Sequence, residues 1–243
     1  MFCLYGALGR DDSSDLKMSV GYVQGEAYLQ RKLDPIPPPS ILYSGSEIND
    51  PLPIVLISSK DSYLEVFLNA TEKSSQVIRV GRRTALEFFG MNRLFFIQGS
   101  ALFSHRNPIF WSLDSNVSSC FIEGSGTWLL EKTILGFKVI VLEGELKIGM
   151  NEEKRIIKPG ELVLTLGKEG QISQTIQIEL PLLLGTSRLL NNFPNELDSH
   201  SRLISAAQVQ AIRMKKKFQA FVGGVSPDNK LRIWAFQKNT DDE

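Results

Sequence analysis

The stretch from Phe121 to Thr165 constrains the fold more than any other part of this chain. It reads FIEGSGTWLLEKTILGFKVIVLEGELKIGMNEEKRIIKPGELVLT. Short apolar runs are punctuated by Gly124, Gly126, Gly136, Gly144, Gly149 and Gly160, and a Lys158-Pro159-Gly160-Glu161 turn precedes the last run. Short runs rich in Val, Ile and aromatic residues, bounded by Gly and Pro, read as strands joined by close turns. The segment is therefore expected to be a series of hairpins, with Gly124-Ser125-Gly126 and Gly144 at hairpin turns.

The same punctuation runs upstream. PIVLISS, SYLEVFLN, SQVIRVG, ALEFFG and RLFFIQGSALFS precede Asn107-Pro108, and IFWSLD and VSSCFIEG follow it. About a dozen short strands at intervals of roughly 8–12 residues predict an all-β sandwich, barrel or solenoid. Within Tyr63–Leu68, period-two alternation sends Leu64, Val66 and Leu68 to one face and Tyr63, Glu65 and Phe67 to the other. Val139-Ile140-Val141-Leu142 has no polar face and suits a strand covered on both sides. Residues 18–34 read as a hairpin interrupted at Gly25, followed by a stiff Pro35-Ile36-Pro37-Pro38-Pro39 linker.

After Gly170 the period changes. Gln174 to Glu179 suits a last strand, and Pro181 opens an apolar helical turn through Leu190. Residues 195–220 read as a longer helix, with Ser199 or Ser201 as N-cap and Leu203, Ile204, Ala207, Ala211, Met214 and Phe218 at helical spacing. Lys215, Lys216 and Lys217 complement the dipole at its end. A final apolar segment, Leu231 to Phe236, follows Gly223-Gly224 and Pro227-Asp228. The expected division is a terminal segment over 1–17, a β domain over 18–170 and an extension over 171–243.

Charge and residue chemistry limit the function classes. With 27 basic and 27 acidic residues the chain has no overall field to draw nucleic acid or anionic lipid. Cys3 and Cys120 make neither a disulfide framework nor a zinc set, and Cys120 reads as a buried structural thiol. His105 and His200 are isolated imidazoles. No Gly-x-Ser-x-Gly elbow and no phosphate-cradling loop ending in Lys-Ser/Thr is present. Glu143, Glu145, Glu152, Glu153 and Glu161 read as solvent-facing carboxylates that discourage edge pairing. The expectation is a non-enzymatic protein with no cofactor and no metal.

The adjacent aromatics Phe88-Phe89, Phe95-Phe96 and Phe110-Trp111 place one member of each pair on either side of a strand. Trp111, Trp128 and Trp234 are the candidates for a binding surface, against the alternative that they pack into the core. The opening MFCLYGALG, followed by Arg10-Asp11-Asp12, is shorter than a signal peptide but similar to the tail of one. It suggests an export signal extending upstream of Met1. No segment has the roughly 18 apolar residues of a transmembrane helix.

From Val20 to about Thr165 the chain resembles FecR-type domains of bacterial extracytoplasmic proteins. The resemblance rests on Val20-Gly21-Tyr22-Val23-Gln24-Gly25-Glu26-Ala27, on Ile57 to Val66 and on Gln98-Gly99-Ser100-Ala101-Leu102-Phe103. It also rests on Gly124, Gly126 and Thr127, on Glu143 and Gly144, and on Pro159 and Gly160. It implies stacked, twisted antiparallel sheets of solenoid or sandwich type, with the C-terminal helical region as an appendage. It further implies a periplasmic or cell-envelope setting, with a cytoplasmic one as the alternative, and binding, scaffolding or signal relay through a protein or envelope partner. The family supplies no catalytic residues. Val141–Glu145 and Pro159-Gly160-Glu161 also resemble the second half of a cupin barrel, which would make the protein a small-molecule or sugar binder.

Overall fold

The computed structural model describes residues 17–68, 76–90, 92–167 and 170–217. The apolar runs form strands, and sixteen of them join one large, mostly antiparallel sheet that does not close. The N-terminal strands are β1 (Met18–Gln24), β2 (Ala27–Arg31), β3 (Ser40–Ile41), β4 (Glu47–Ile48), β5 (Ile54–Ser58), β6 (Tyr63–Leu68), β7 (Gln76–Val80), β8 (Ala85–Gly90) and β9 (Arg93–Gln98). Three long strands follow: β10 (Ser100–Asp114), β11 (Ser119–Lys132) and β12 (Phe137–Met150). The sheet ends with β13 (Glu153–Ile157), β14 (Glu161–Leu166), β15 (Gln171–Ile172) and β16 (Ile176–Gln177). Helices α1 (Leu180–Thr186), α2 (Arg188–Asn191) and α3 (His200–Lys217) complete the described chain. The open sheet rules out the cupin-type barrel.

The long strands β10, β11 and β12 form a spine from which the sheet divides. Residues 101–104 of β10 pair with β7, which continues through β6 and β1 to β4. Residues 112–114 of β10 pair in parallel with β9, which continues through β8, β5 and β2 to β3. Between these halves the register with β11 slips from His105 to Ile109, at Asn107-Pro108. Proline has no N–H for the ladder and is tolerated at such a bulge. The sequence predicts a strand break there; the strand instead bends and continues.

The glycine turns need a similar correction. Gly124 and Gly126 lie inside β11, and Gly144 lies inside β12, where Gly126 pairs with Gly144. All three adopt positive φ. A Cβ on Gly126 would collide with the Glu143 carbonyl oxygen, and one on Gly144 with that of Ser125. Glycine is required here for close strand approach at a bend, not to reverse the chain. Residues 18–34 also form a corner rather than a hairpin, because β1 pairs with β4 and β6 while β2 pairs with β3 and β5.

Both arms contribute to one apolar core. Val20, Leu64, Val66 and Ile78 from the first arm cluster with Leu29, Leu56, Leu86, Phe88 and Phe96 from the second. Val139 and Val141 point into this core. Ile140 and Leu142 point the other way, into a second cluster with Tyr63, Val77, Leu102, Leu180, Leu189, Phe193, Leu197, Leu203 and Ala207. The helices thus cover the outer face of the first arm, and Val139–Leu142 is buried on both sides as its composition predicts. In α3 the buried face is Leu203, Ala207 and Gln210; Ile204 and Ala211, expected on that face, are exposed. Among the described residues no helix is long and apolar enough to cross a membrane.

Candidate functional site

Among the described residues, the interface between the first arm and the helices holds a concentrated set of buried polar groups. Period two along β7 sends Val77 and Arg79 toward the helices, and the matching face of β6 presents Tyr63, Glu65 and Phe67. Arg79 is only 1% exposed. Its Nε donates to Glu65 Oε2 at 2.7 Å. Its terminal nitrogens donate to the Leu190 and Asn195 carbonyls at 3.1 and 2.5 Å. The guanidinium carbon lies 4.3 Å from the Phe193 ring centroid. The carbonyls ending α2 have no partners within their own helix, and a buried arginine supplies them. Burial pulls the Arg79 pKa below its ordinary value while Glu65 opposes that shift.

A second polar cluster lies where α3 begins. Thr127 Oγ1 sits 3.0 Å from Ser104 Oγ, 2.7 Å from Ser199 Oγ and 3.1 Å from Glu143 Oε1. Arg202 from α3 donates to both oxygens of Glu143, at 3.1 and 3.3 Å. Glu143 is thus a buried partner of the helix, not one of the solvent-facing carboxylates expected from its sequence neighbours. Gln210 ties α3 to α1, accepting from Leu180 N at 2.8 Å and donating to the Ile178 carbonyl at 2.7 Å.

The aromatic candidates lie elsewhere. Trp111 and Trp128 are inside the core and offer no surface. Trp128 stacks on Phe103 with centroids 4.2 Å apart, and Trp111 meets Phe103 edge-on at 5.5 Å. Trp234 and the Leu231–Phe236 segment lie outside the described residues, as do Cys3 and Phe218. The strand rule did separate the paired aromatics: Phe88, Phe96 and Trp111 are buried, whereas Phe89 and Phe110 are exposed. Trp128 donates its indole N–H to His105 Nε2 at 3.2 Å. That leaves Nδ1 to carry the proton and donate to the Asn107 carbonyl at 3.1 Å. Both nitrogens of His105 are engaged, and burial lowers its pKa below 6.5. Among the described residues no three His, Cys, Asp or Glu side chains gather as a metal set. Cys120 is buried, and desolvation pushes its thiol pKa up. Of the remaining motif residues, Gly99 separates β9 from β10, and Pro159 and Gly160 form the turn into β14.

A cleft of about 590 Å³ opens beside the Arg79 site. Its walls are the Ser59–Ser62 turn, the Gly81–Thr84 turn, the start of β10, the end of β11, the start of β12 and α1–α2. Lys60, Arg82, Arg83, Lys138 and Arg188 line it, against only Asp61 and Glu131. No sequence pattern points to it, because these residues are scattered from 60 to 188 in a chain whose total charge balances.

No family model and no curated protein matches this chain. Two solved structures from Parabacteroides distasonis, each described as a candidate anti-sigma factor, are similar at 14% identity. The first matches with a TM-score of 0.41 over 56% of this chain and 66% of its own length, just under two thirds. The second matches with a TM-score of 0.39 over 78% of this chain and 85% of its own length.

Proposed function

We propose that the protein is a non-enzymatic binding and signal-relay module, working in the periplasm or cell envelope through contact with another protein. The observation that carries this reading is the Arg79 site. A relay requires an element that two places on the surface can bias together. Arg79 joins the sheet to the end of α2, and α2 in turn forms one wall of the charged cleft. Contact at the cleft therefore bears on the same helix that the buried ion pair holds. Apolar side chains of similar volume would hold two layers as well as an ion pair does, whereas the ion pair fixes one geometry. The FecR-type resemblance supplies the envelope setting.

The test is photo-crosslinking in the source cells, with a photoreactive residue at position 61 in the cleft mouth, at 208 on α3, or at 154 on β13 as control. The reading expects an adduct of one defined mass, in the envelope fraction, from 61 or 208 and not from 154. Finding the protein only in the cytosol, or no adduct from either position, would overturn it.

A further inference from the structure

We infer that the charged cleft is a recognition site for an acidic peptide segment, one carrying carboxylates beside an apolar residue. This rests on the protein-binding reading above and names the chemistry of its partner. Five cationic side chains face two carboxylates there. Arg82 reaches Asp61 at 3.5 Å and Lys138 reaches Glu131 at 2.5 Å. Lys60, Arg83 and Arg188 have no carboxylate partner among the described residues.

The cations are presented on a preorganised frame. The Arg82-Arg83 turn is held by Gly81 N donating to the Ser100 carbonyl at 2.8 Å and Arg83 N to the Ser59 carbonyl at 3.0 Å. Thr84 Oγ1 donates to the Ser100 carbonyl at 3.1 Å and accepts from Ser100 N at 3.0 Å. The Ser58 hydroxyl bonds the Gly81 carbonyl. Arg83 itself adopts φ of 51°. A long side chain in the left-handed region is strained, and the position would suit glycine better if only the turn mattered. Arg83 is exposed and lines the cleft, so its guanidinium is free to meet a ligand there.

The floor sets the ligand class. Leu129 and Leu183, both partly exposed, contribute apolar surface beside the cations, over the buried Tyr63, Ile140 and Leu189. A lone phosphate or a fully hydrated glycan gains little from such a floor. A peptide with a leucine or phenylalanine between two acidic residues uses both features: guanidinium forks match carboxylates, and the apolar side chain leaves water. The volume lies in the usual range for small-ligand sites, about 300–1,000 Å³.

The experiment titrates the full chain with a fluorescein-labelled Glu-Asp-Leu-Glu-Phe-Asp peptide, followed by anisotropy. Parallel arms use the Gln/Asn version of the peptide, inorganic phosphate, and a sulfated hexasaccharide. The inference expects saturable, salt-sensitive binding of the acidic peptide and at least roughly tenfold weaker binding of the amide version. Arg83→Gly keeps the turn while removing the guanidinium, and should weaken binding several-fold with unchanged or higher Tm. Arg188→Gln should do the same from the opposite wall. Equal binding of the amide peptide, binding of phosphate or glycan alone, or indifference to both substitutions overturns the inference. Adducts from position 208 but not 61 in cells would also remove the cleft while leaving the relay reading standing. Peptide binding in vitro without any adduct in cells would do the reverse.

Discussion

The two buried regions of this molecule are built on different terms. The inner core between the arms is an apolar cluster, and strand pairing handles its backbone polar groups. The interface between the first arm and the helices mixes apolar packing with Arg79–Glu65, Glu143–Arg202 and a knot of hydroxyls. An apolar core tolerates many arrangements of similar volume. An interface with buried charges is less permissive, because each charge left without its partner is costly. The difference suggests that the inner core secures stability while the outer interface fixes where the helices sit.

Substitutions can break that contrast, and the largest effect should come from Arg79→Met. It strands Glu65 and the carbonyls of Leu190 and Asn195 without a donor, and should cost about 3–5 kcal/mol in urea denaturation. Adding Glu65→Leu should recover part of that loss. No recovery would show that Arg79 acts through the helix carbonyls alone. Gly126→Ala tests the spine instead, where a Cβ meets backbone at positive φ; a loss of about 1–3 kcal/mol is expected. Arg202→Gln should cost less, about 1–2 kcal/mol, because Arg202 remains 41% exposed and its attraction to Glu143 is screened. Added salt should shrink the Arg202→Gln difference and leave the Arg79→Met difference nearly intact.

The smallest effect is a pH dependence. Burial holds the folded-state pKa of His105 below 6.5, so the unfolded chain binds this proton more readily. The contribution is complete above about pH 6.5 and is lost as pH falls below it. Tm should therefore decline from about pH 7 to pH 5, and His105→Gln should flatten that slope. An unchanged slope in the variant would assign it to other groups.

What could be read from the sequence follows the same division. The faces of Tyr63–Leu68 and the double burial of Val139–Leu142 were legible, because period two and unbroken apolarity are local patterns. Gly124, Gly126 and Gly144 were misplaced because a glycine between apolar runs looks alike at a turn and at a mid-strand bend. Only the pairing of Gly126 with Gly144 on the next strand tells them apart. Arg79 left no such signal: alternation sets it on the face opposite Ile78 and Val80, where a charge reads as solvent-facing until the helices are known to cover it. Its carbonyl partners lie 110 to 116 residues away and have no side-chain signature. The cleft was unreadable for a related reason: its cations come from four separated stretches, and only the fold brings them to one place.

The bend in β10 has one more consequence. A single strand feeds both arms, so neither arm has a complete set of backbone partners without it. The arms are therefore structurally dependent on one strand rather than independent modules. A deletion at Asn107-Pro108 should unsettle both arms at once, whereas loss of a peripheral strand such as β3, β4 or β15 should leave the spine pairing in place.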